Sequence, residues 1–475
     1  MTRILKFIFT LFILFGCNET NLNKPNIVWF VFEDQSPDFF PQYADVPLKL
    51  PAIQSIADDG VVFMNMHSPS PVCAPSRSAI ITGMYPTTLG THNMRTYNAY
   101  KTENEPSINI PSYSPNFPKH IRPFTEYLRK SGFYCSNNSK EDYNFKISDS
   151  AWDESSNNAH WKNRNNRQPF FSVFNFGICH ESGIWRMNND SILVDKSKIK
   201  IPSYFPENDI IRHDMAVNFS NLIRADRQVS DLINELKSSG EYDNTYIFFY
   251  ADHGGPFPRH KRAIYETGTK VPLIIKPPKG VEIDNNPLDL LSFIDLAPTV
   301  LSIAGIDIPN HIQGTAFLGD QKRESPKLLF SGSDRFDEQV DRLRAVFDGQ
   351  YKYIKSYDTS KPHAIPVTYR LQMPMMQELL KLLKEDKLNE KQKLWFNTPK
   401  PSEEFYDLKN DPYELNNLIN DSNYADMIQY FSNKLEQWIK ETNDLGEVPE
   451  SEIIAKSIKN DNKYYLKLNI LRKKL

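Results

Sequence analysis

Asn26-Ile-Val-Trp-Phe-Val-Phe32, running directly into Glu33-Asp34, is the stretch that decides the fold. An apolar run rich in β-branched and aromatic residues has no polar face, so it fits a strand covered on both sides within a parallel sheet. Two later runs have the same character. Phe170 to Cys179 ends at His180-Glu181, and Thr245 to Ala251 ends at Asp252-His253. In open α/β sheets, ligands bind beyond the carboxyl ends of the parallel strands, so these three polar ends are expected to converge on one site.

Helical patterns lie between the strands. Pro123 to Ser131 leads through Gly132 into a strand at Phe133-Tyr134-Cys135, Met215 to Lys237 is stopped by Ser238-Ser-Gly240, and Leu288 to Ile303 reads as a further helix. Beyond about residue 325 the pattern changes: Leu343 to Ile354 reads as two short strands about an Asp348-Gly349 turn. Tyr369 to Trp395 reads as a charged amphipathic helical insertion, and Leu418 to Thr442 as another helix. The tail after Glu447, rich in Lys and Asn, is expected to pack weakly. The fold expected is α/β: a large mixed, mostly parallel sheet sandwiched by helices over residues 26–325. A smaller α+β subdomain of antiparallel sheet plus helix follows over 326–475.

Lys+Arg 56 against Asp+Glu 59 leaves a net charge of -3, which gives no electrostatic reason to bind nucleic acid. Four Cys in 475 residues cannot form a disulfide framework. At the N-terminus, Met1 to Lys6 carries charge, Phe7 to Phe15 is apolar, and Gly16-Cys17 follows, the pattern of an export signal too short to span a bilayer. It resembles a bacterial lipoprotein signal over residues 1–17, with Leu14-Phe15-Gly16-Cys17 as the lipobox and Cys17 as the lipidated residue. Residues 18–25 are polar and would serve as a tether. That implies a lipid-anchored protein of a Gram-negative cell envelope, facing the periplasm or the outer surface.

The strongest local motif is Pro71-Val-Cys73-Ala-Pro75-Ser-Arg77, followed by Thr82-Gly-Met-Tyr-Pro86. Pro75 can begin a helix because it has no N–H to satisfy in the first turn, and a helix N-terminus favours an anion. Cys-x-Pro-Ser-Arg followed by Thr-Gly-x-Tyr-Pro resembles the signature of formylglycine-dependent sulfatases of the alkaline phosphatase superfamily. The resemblance extends from Asn26 to about Leu418 and points to the branch of N-sulfoglucosamine sulfohydrolase and bacterial polysaccharide sulfatases. It implies that a maturation enzyme oxidises Cys73 to formylglycine (3-oxoalanine).

The resemblance also implies a divalent cation, Ca²⁺ first and Mg²⁺ or Mn²⁺ as alternatives, held by Glu33, Asp34, Cys73, Asp252 and His253. Glu33-Asp34 departs from the commoner Asp-Asp pair. Asp252-His253-Gly254 matches the family's Asp-Asn/His-Gly. The remaining catalytic roles fall on Arg77, Lys140, His180 and Lys261, the last within Lys261-Arg-Ala-Ile-Tyr265-Glu-Thr-Gly268. Lys140-Glu141-Asp142 departs from the family's Lys-x-His and lacks one His.

For the substrate side, His92, Arg95, His160, Trp161, Glu181 and His260 are candidates, with Trp152-Asp153 and Arg259 nearby. The insertion from Asp142 to Gln168, with two Trp among Asn, Arg and His, suits a sugar-reading loop. The activity implied is a carbohydrate sulfatase acting on O- or N-sulfate near a chain end. A phosphonate monoester hydrolase or phosphodiesterase of the same superfamily, to which His253 points, and a non-catalytic glycan-binding lipoprotein are the alternatives.

Overall fold

The computed structural model describes residues 24–97, 110, 112–116, 118–165 and 167–457. Cys17 and its signal lie outside the described residues. Among those described, no helix is long and apolar enough to cross a membrane.

The strands of the larger sheet are β1 (Asn26–Phe32), β2 (Val61–His67), β3 (Tyr134–Asn138), β4 (Glu154–Ser155), β5 (Phe170–Phe176), β6 (Thr245–Ala251), β7 (Lys270–Lys276) and β8 (Leu290–Ser292). Their order across the sheet is β4-β3-β5-β1-β6-β7-β2-β8, with β7 antiparallel to both its neighbours and the other pairs parallel. The opening stretch of sequence is therefore central. Its period of two feeds two cores: Val28, Phe30 and Phe32 pack with the long helix Asp209–Ser238, and Ile27, Trp29 and Val31 pack on the opposite face against Phe124, Leu128 and Ile80. Each such buried side chain contributes about 1.5–3 kcal/mol.

A second sheet has the order β12-β11-β10-β9, from β9 (Leu329–Phe336), β10 (Gln339–Phe347), β11 (Tyr351–Ser356) and β12 (Glu403–Asp407), all antiparallel. Val346, Tyr353 and Phe405 pack on Phe431, Leu435 and Trp438 of the helix Ala425–Glu441. The expected turn is present, with the Asp348 carboxylate accepting from the Gln350 and Tyr351 amides and Gly349 at φ 104°.

Several boundaries differ from the sequence reading. Residues 288–303 are not one helix: Leu290–Ser292 pairs with β2, a capping box between Ser292 and Asp295 starts a 3-10 turn, and the helix runs only over Leu296–Ile303. The insertion from Tyr369 to Trp395 is broken into a turn Thr368–Gln372, a helix Pro374–Lys384 and two short turns, because Pro374 and the capped Asn389 each restart the chain. The tail does not pack weakly throughout. Glu450 forms a two-pronged ion pair with Arg335, at 2.6 and 2.7 Å.

Candidate active site

The polar residues that follow β1, β3, β5 and β6 meet at one edge of the sheet, where the second α-helix of the chain, α2 (Cys73–Thr82, after α1 at Pro51–Asp58), starts. α2 begins at Cys73 itself, two residues earlier than Pro75, with Val72 extended. Pro75 is tolerated there because N–H groups of the first turn have no helical partner. Cys73 is thus in the first helical turn and almost wholly buried, at 1% exposure.

The Cys73 Sγ lies 3.2 Å from His253 Nε2 and 3.8 Å from Asp34 Oδ1. Asp34 is held from four sides. Lys261 Nζ contacts both its oxygens at 2.8 and 3.0 Å, His253 Nε2 lies 3.0 Å from Oδ1, and the Glu181 amide donates to Oδ2 at 2.7 Å. Its own backbone N–H donates to Asp252 Oδ1 at 3.0 Å, from a left-handed conformation with φ 57°. Such strain in a non-Gly residue at a strand end is maintained by the surroundings that fix it. Arg77 reaches the other Asp252 oxygen through Nε and Nη2, at 3.1 and 3.0 Å. Lys140 Nζ meets Glu33 Oε2 at 2.7 Å. His180 is anchored through Nδ1 by Ser182 and presents Nε2 3.0 Å from Lys261 Nζ.

The segments carrying His253 and Lys261 are zipped together. The Gly254 amide donates to Gly268 O and the Gly255 amide to Thr267 O. A Cβ at Gly254 would stand 2.1 Å from Thr267 O, and one at Gly268 2.0 Å from Ala263 O, so neither position admits a side chain.

Burial pushes the Asp34 carboxyl up, but Lys261 and His180 outweigh it and hold the group well below its ordinary value. Asp252 ends at about 2, with His253 and Arg77 overcoming the same burial. The Cys73 thiol is pulled down to about 7 against burial by Lys140 and Lys261.

Asp34, Cys73, Asp252 and His253 each offer one donor atom, all within 4.8 Å of one another. Two carboxylates with an imidazole suit a divalent cation. The fit extends to the next shell: His253 Nδ1 contacts the Gly254 carbonyl at 2.9 Å, which aims Nε2 at the other donors. Glu33 belongs instead to a second group with Asp34 and His180, its Oε2 turned to Lys140.

Of the residues expected to read substrate, Arg95 alone stands partly open beside the site. Trp161 is fully buried against Phe170 and Phe174, and the His160 ring lies tilted against it at 4.0 Å while pairing with Glu235 at 3.1 Å. Both anchor the insertion to the fold, as does Trp152, stacked on Phe171. His260 is enclosed by Phe39, Phe205 and Tyr204, and burial, reinforced by Arg259 and Arg370, lowers it to about 3. Its ring is therefore neutral near pH 7. Arg259 lies buried between Tyr204 and Tyr265. Glu181 is buried in a two-pronged pair with Arg262, at 2.8 and 3.0 Å, and so positions the site from behind. His92 is buried, in the neighbourhood of Asp444.

Three residues escaped the sequence reading. Asn175 accepts from Arg77 Nη1 at 2.7 Å while donating to Asn137 Oδ1 and Asn138 O, so it fixes the guanidinium. An Asn within the mostly apolar Phe170–Phe176 was its signal. Arg262 and Asp337, paired at 2.7 Å, support Glu181 and had no local signal.

The model of the sulfatase family matches residues 25–306, and that of the C-terminal region of N-sulphoglucosamine sulphohydrolase matches residues 255–389. An ulvan-active sulfatase of Formosa agariphila is 41% identical over 468 residues, covering 91% of this chain and 78% of that protein. Among solved structures, a protein in complex with its substrate D-glucosamine-2-N,6-O-disulfate superposes with a TM-score of 0.63. It is 16% identical and covers 90% of this chain and 100% of that one. A 2-O GAG sulfatase gives 0.63 at 19% identity, over 89% and 93%.

Proposed function

The chain belongs to the sulfatase family, and on that premise we propose that it is a carbohydrate sulfatase which removes sulfate from sulfated polysaccharide fragments. The observation that carries the reading is Cys73 in the first turn of α2 with Arg77, Lys140, Lys261 and His180 gathered about it. The 41% identity to an ulvan-active sulfatase supports a glycan as substrate.

Asp34, Asp252 and His253 would hold the cation, which supplies Lewis-acid charge for a sulfuryl oxygen, and Cys73 as formylglycine would supply the nucleophilic hydroxyl. Lys140, Lys261 and Arg77 are fixed by Glu33, Asp34 and Asp252, so their charges are in place before the sulfate arrives. His180 presents Nε2 to the same space and is placed to give a proton to the leaving oxygen or nitrogen. A formylglycine-generating enzyme is the maturation partner in this reading. Lipidation at Cys17 would tether the enzyme to a membrane of the cell envelope, where polymer fragments arrive.

One matured sample decides between the readings. Release of sulfate from sulfated oligosaccharides, alongside turnover of an aryl sulfate and none of an aryl phosphodiester or phosphonate monoester, is expected. Mass spectrometry of the Ser70 to Arg77 peptide should show Cys73 converted to the aldehyde. An unmodified thiol in fully active enzyme would remove the proposed nucleophile.

A further inference from the structure

Three segments far apart in sequence meet beside His180. Trp185 comes from the short helix Ser182–Arg186, Tyr369 from the turn Thr368–Gln372, and Arg95 from the loop after Gly90. The Trp185 and Tyr369 rings lie 5.1 Å apart, edge to face, and the Tyr369 ring is 6.2 Å from that of His180. The Arg95 guanidinium stands 5.4 Å over the Tyr369 ring. All three side chains are partly open to solvent, unlike the buried Trp161, His260 and Arg259.

The position matters because contacts run inward without a break: Tyr369 to His180, His180 to Lys261, and Lys261 to Asp34 beside Cys73. The charges of Glu181, Lys261 and Arg95 all act on the Tyr369 phenol, which burial raises above its ordinary value. Asp337 pairs with Arg262 at 2.7 Å and stands 3.7 Å from Arg95, which ties the loop after Gly90 to the network behind the site. Leu371, two residues after Tyr369 in the same turn, is exposed. Flat rings take the apolar face of a sugar, and a guanidinium held over a ring is a fixed fork for a carboxylate or sulfate.

We infer that Trp185, Tyr369 and Arg95 form a subsite for a sugar ring that carries a second anionic group, a carboxylate or another sulfate, next to the sulfate being cleaved. The inference rests on the carbohydrate reading above and narrows it. Arg95 is the specificity-determining residue, and the two rings supply stacking area.

The test uses the matured enzyme and three probes. They are uronate-bearing oligosaccharides from ulvan, with the carboxylates intact or reduced to alcohols; D-glucosamine-2-N,6-O-disulfate against the singly sulfated sugar; and an aryl sulfate as reference. Wild type should favour the doubly anionic member of at least one pair by roughly tenfold in kcat/KM, through KM, the size expected for one charge-assisted contact. Loss on carboxylate reduction identifies a carboxylate, and loss on removing the second sulfate identifies a sulfate. Arg95→Gln should erase the preference and Arg95→Lys restore part of it. Tyr369→Ala should raise KM for oligosaccharides several-fold more than for the aryl sulfate. In a Cys73→Ser background, Arg95→Gln should weaken binding of the preferred oligosaccharide by the same factor. No preference in wild type, or a preference that survives Arg95→Gln, overturns the subsite while leaving the carbohydrate reading intact. Aryl sulfate turnover with no sulfate released from any oligosaccharide overturns the carbohydrate reading itself.

Discussion

Cys73 Sγ and His253 Nε2 lie 3.2 Å apart although 180 residues separate them. The contact joins the first turn of α2 to the end of β6 and places the thiol within the donor set that Asp34 and Asp252 complete.

Asp34→Ala and Asp252→Asn are each expected to lower sulfate release by about 10³-fold or more, because each removes charge that holds the cation. Chelation should do the same, and restoring Ca²⁺, Mg²⁺ or Mn²⁺ singly, followed by ion chromatography of released sulfate, identifies the ion. Glu33→Gln should cost less, about 10- to 100-fold, since its contact is to Lys140. Full activity after exhaustive chelation would contradict the assignment.

His180→Ala separates substrates by leaving group. An alkoxide leaving from a sugar needs a proton and a nitrophenolate does not, so kcat should fall about 10²- to 10⁴-fold on a sugar sulfate and far less on nitrophenyl sulfate. Equal losses on both would make His180 a positioning residue for Lys261.

Trp161→Ala should destabilise the protein by about 3–5 kcal/mol in denaturant titrations, the cost of emptying a buried aromatic site. KM for oligosaccharides should stay at its wild-type value. A selective rise in KM would return Trp161 to the substrate side.

Asp214 gives a pH signature unrelated to the site. Burial raises its carboxyl from 3.8 to about 7, although the Met375 amide and Asn188 donate to it. The folded state binds this proton more tightly than the unfolded one, so stability is fully present below about pH 4 and is lost as pH rises through about 7. Asp214→Asn mimics the protonated acid, and Asn188 can turn its amide to match. The variant should be more stable than wild type at pH 8, on the order of 2 kcal/mol, with the gap closing towards pH 4. Thermal unfolding across that range reads it directly.

What the sequence made legible were features carried by contiguous residues. β1, β5 and β6 announce themselves because a strand covered on both faces is mostly apolar until it ends, and it ends in the very groups that do chemistry. The Cys73 to Arg77 motif is legible for the same reason. Residues whose neighbours come from elsewhere were not. Nothing local to His160-Trp161 reveals that Phe170, Phe174 and Glu235 enclose it. In the run Arg259-His260-Lys261-Arg262 four similar side chains take four fates: Tyr204 and Tyr265 sandwich the first, aromatic rings enclose the second, Asp34 holds the third and Glu181 the fourth. Leu290–Ser292 carries the same apolar character as the helix after it, and its pairing with β2 decides its state.

The central place of β1 has a consequence for how the chain is made. Its two sheet neighbours, β5 and β6, begin 144 and 219 residues after it, so this strongly β-prone segment is made long before the strands that cover its edges. A seven-residue uncharged stretch of this kind is a self-association hazard while it is bare. Lys24-Pro25 stands before it and Glu33-Asp34 after it, charge and proline at the two positions where they interrupt strand stacking. The acids that serve the finished centre thus guard the nascent chain first, and replacing both with neutral residues would expose the unfinished polypeptide as well as disarm the enzyme.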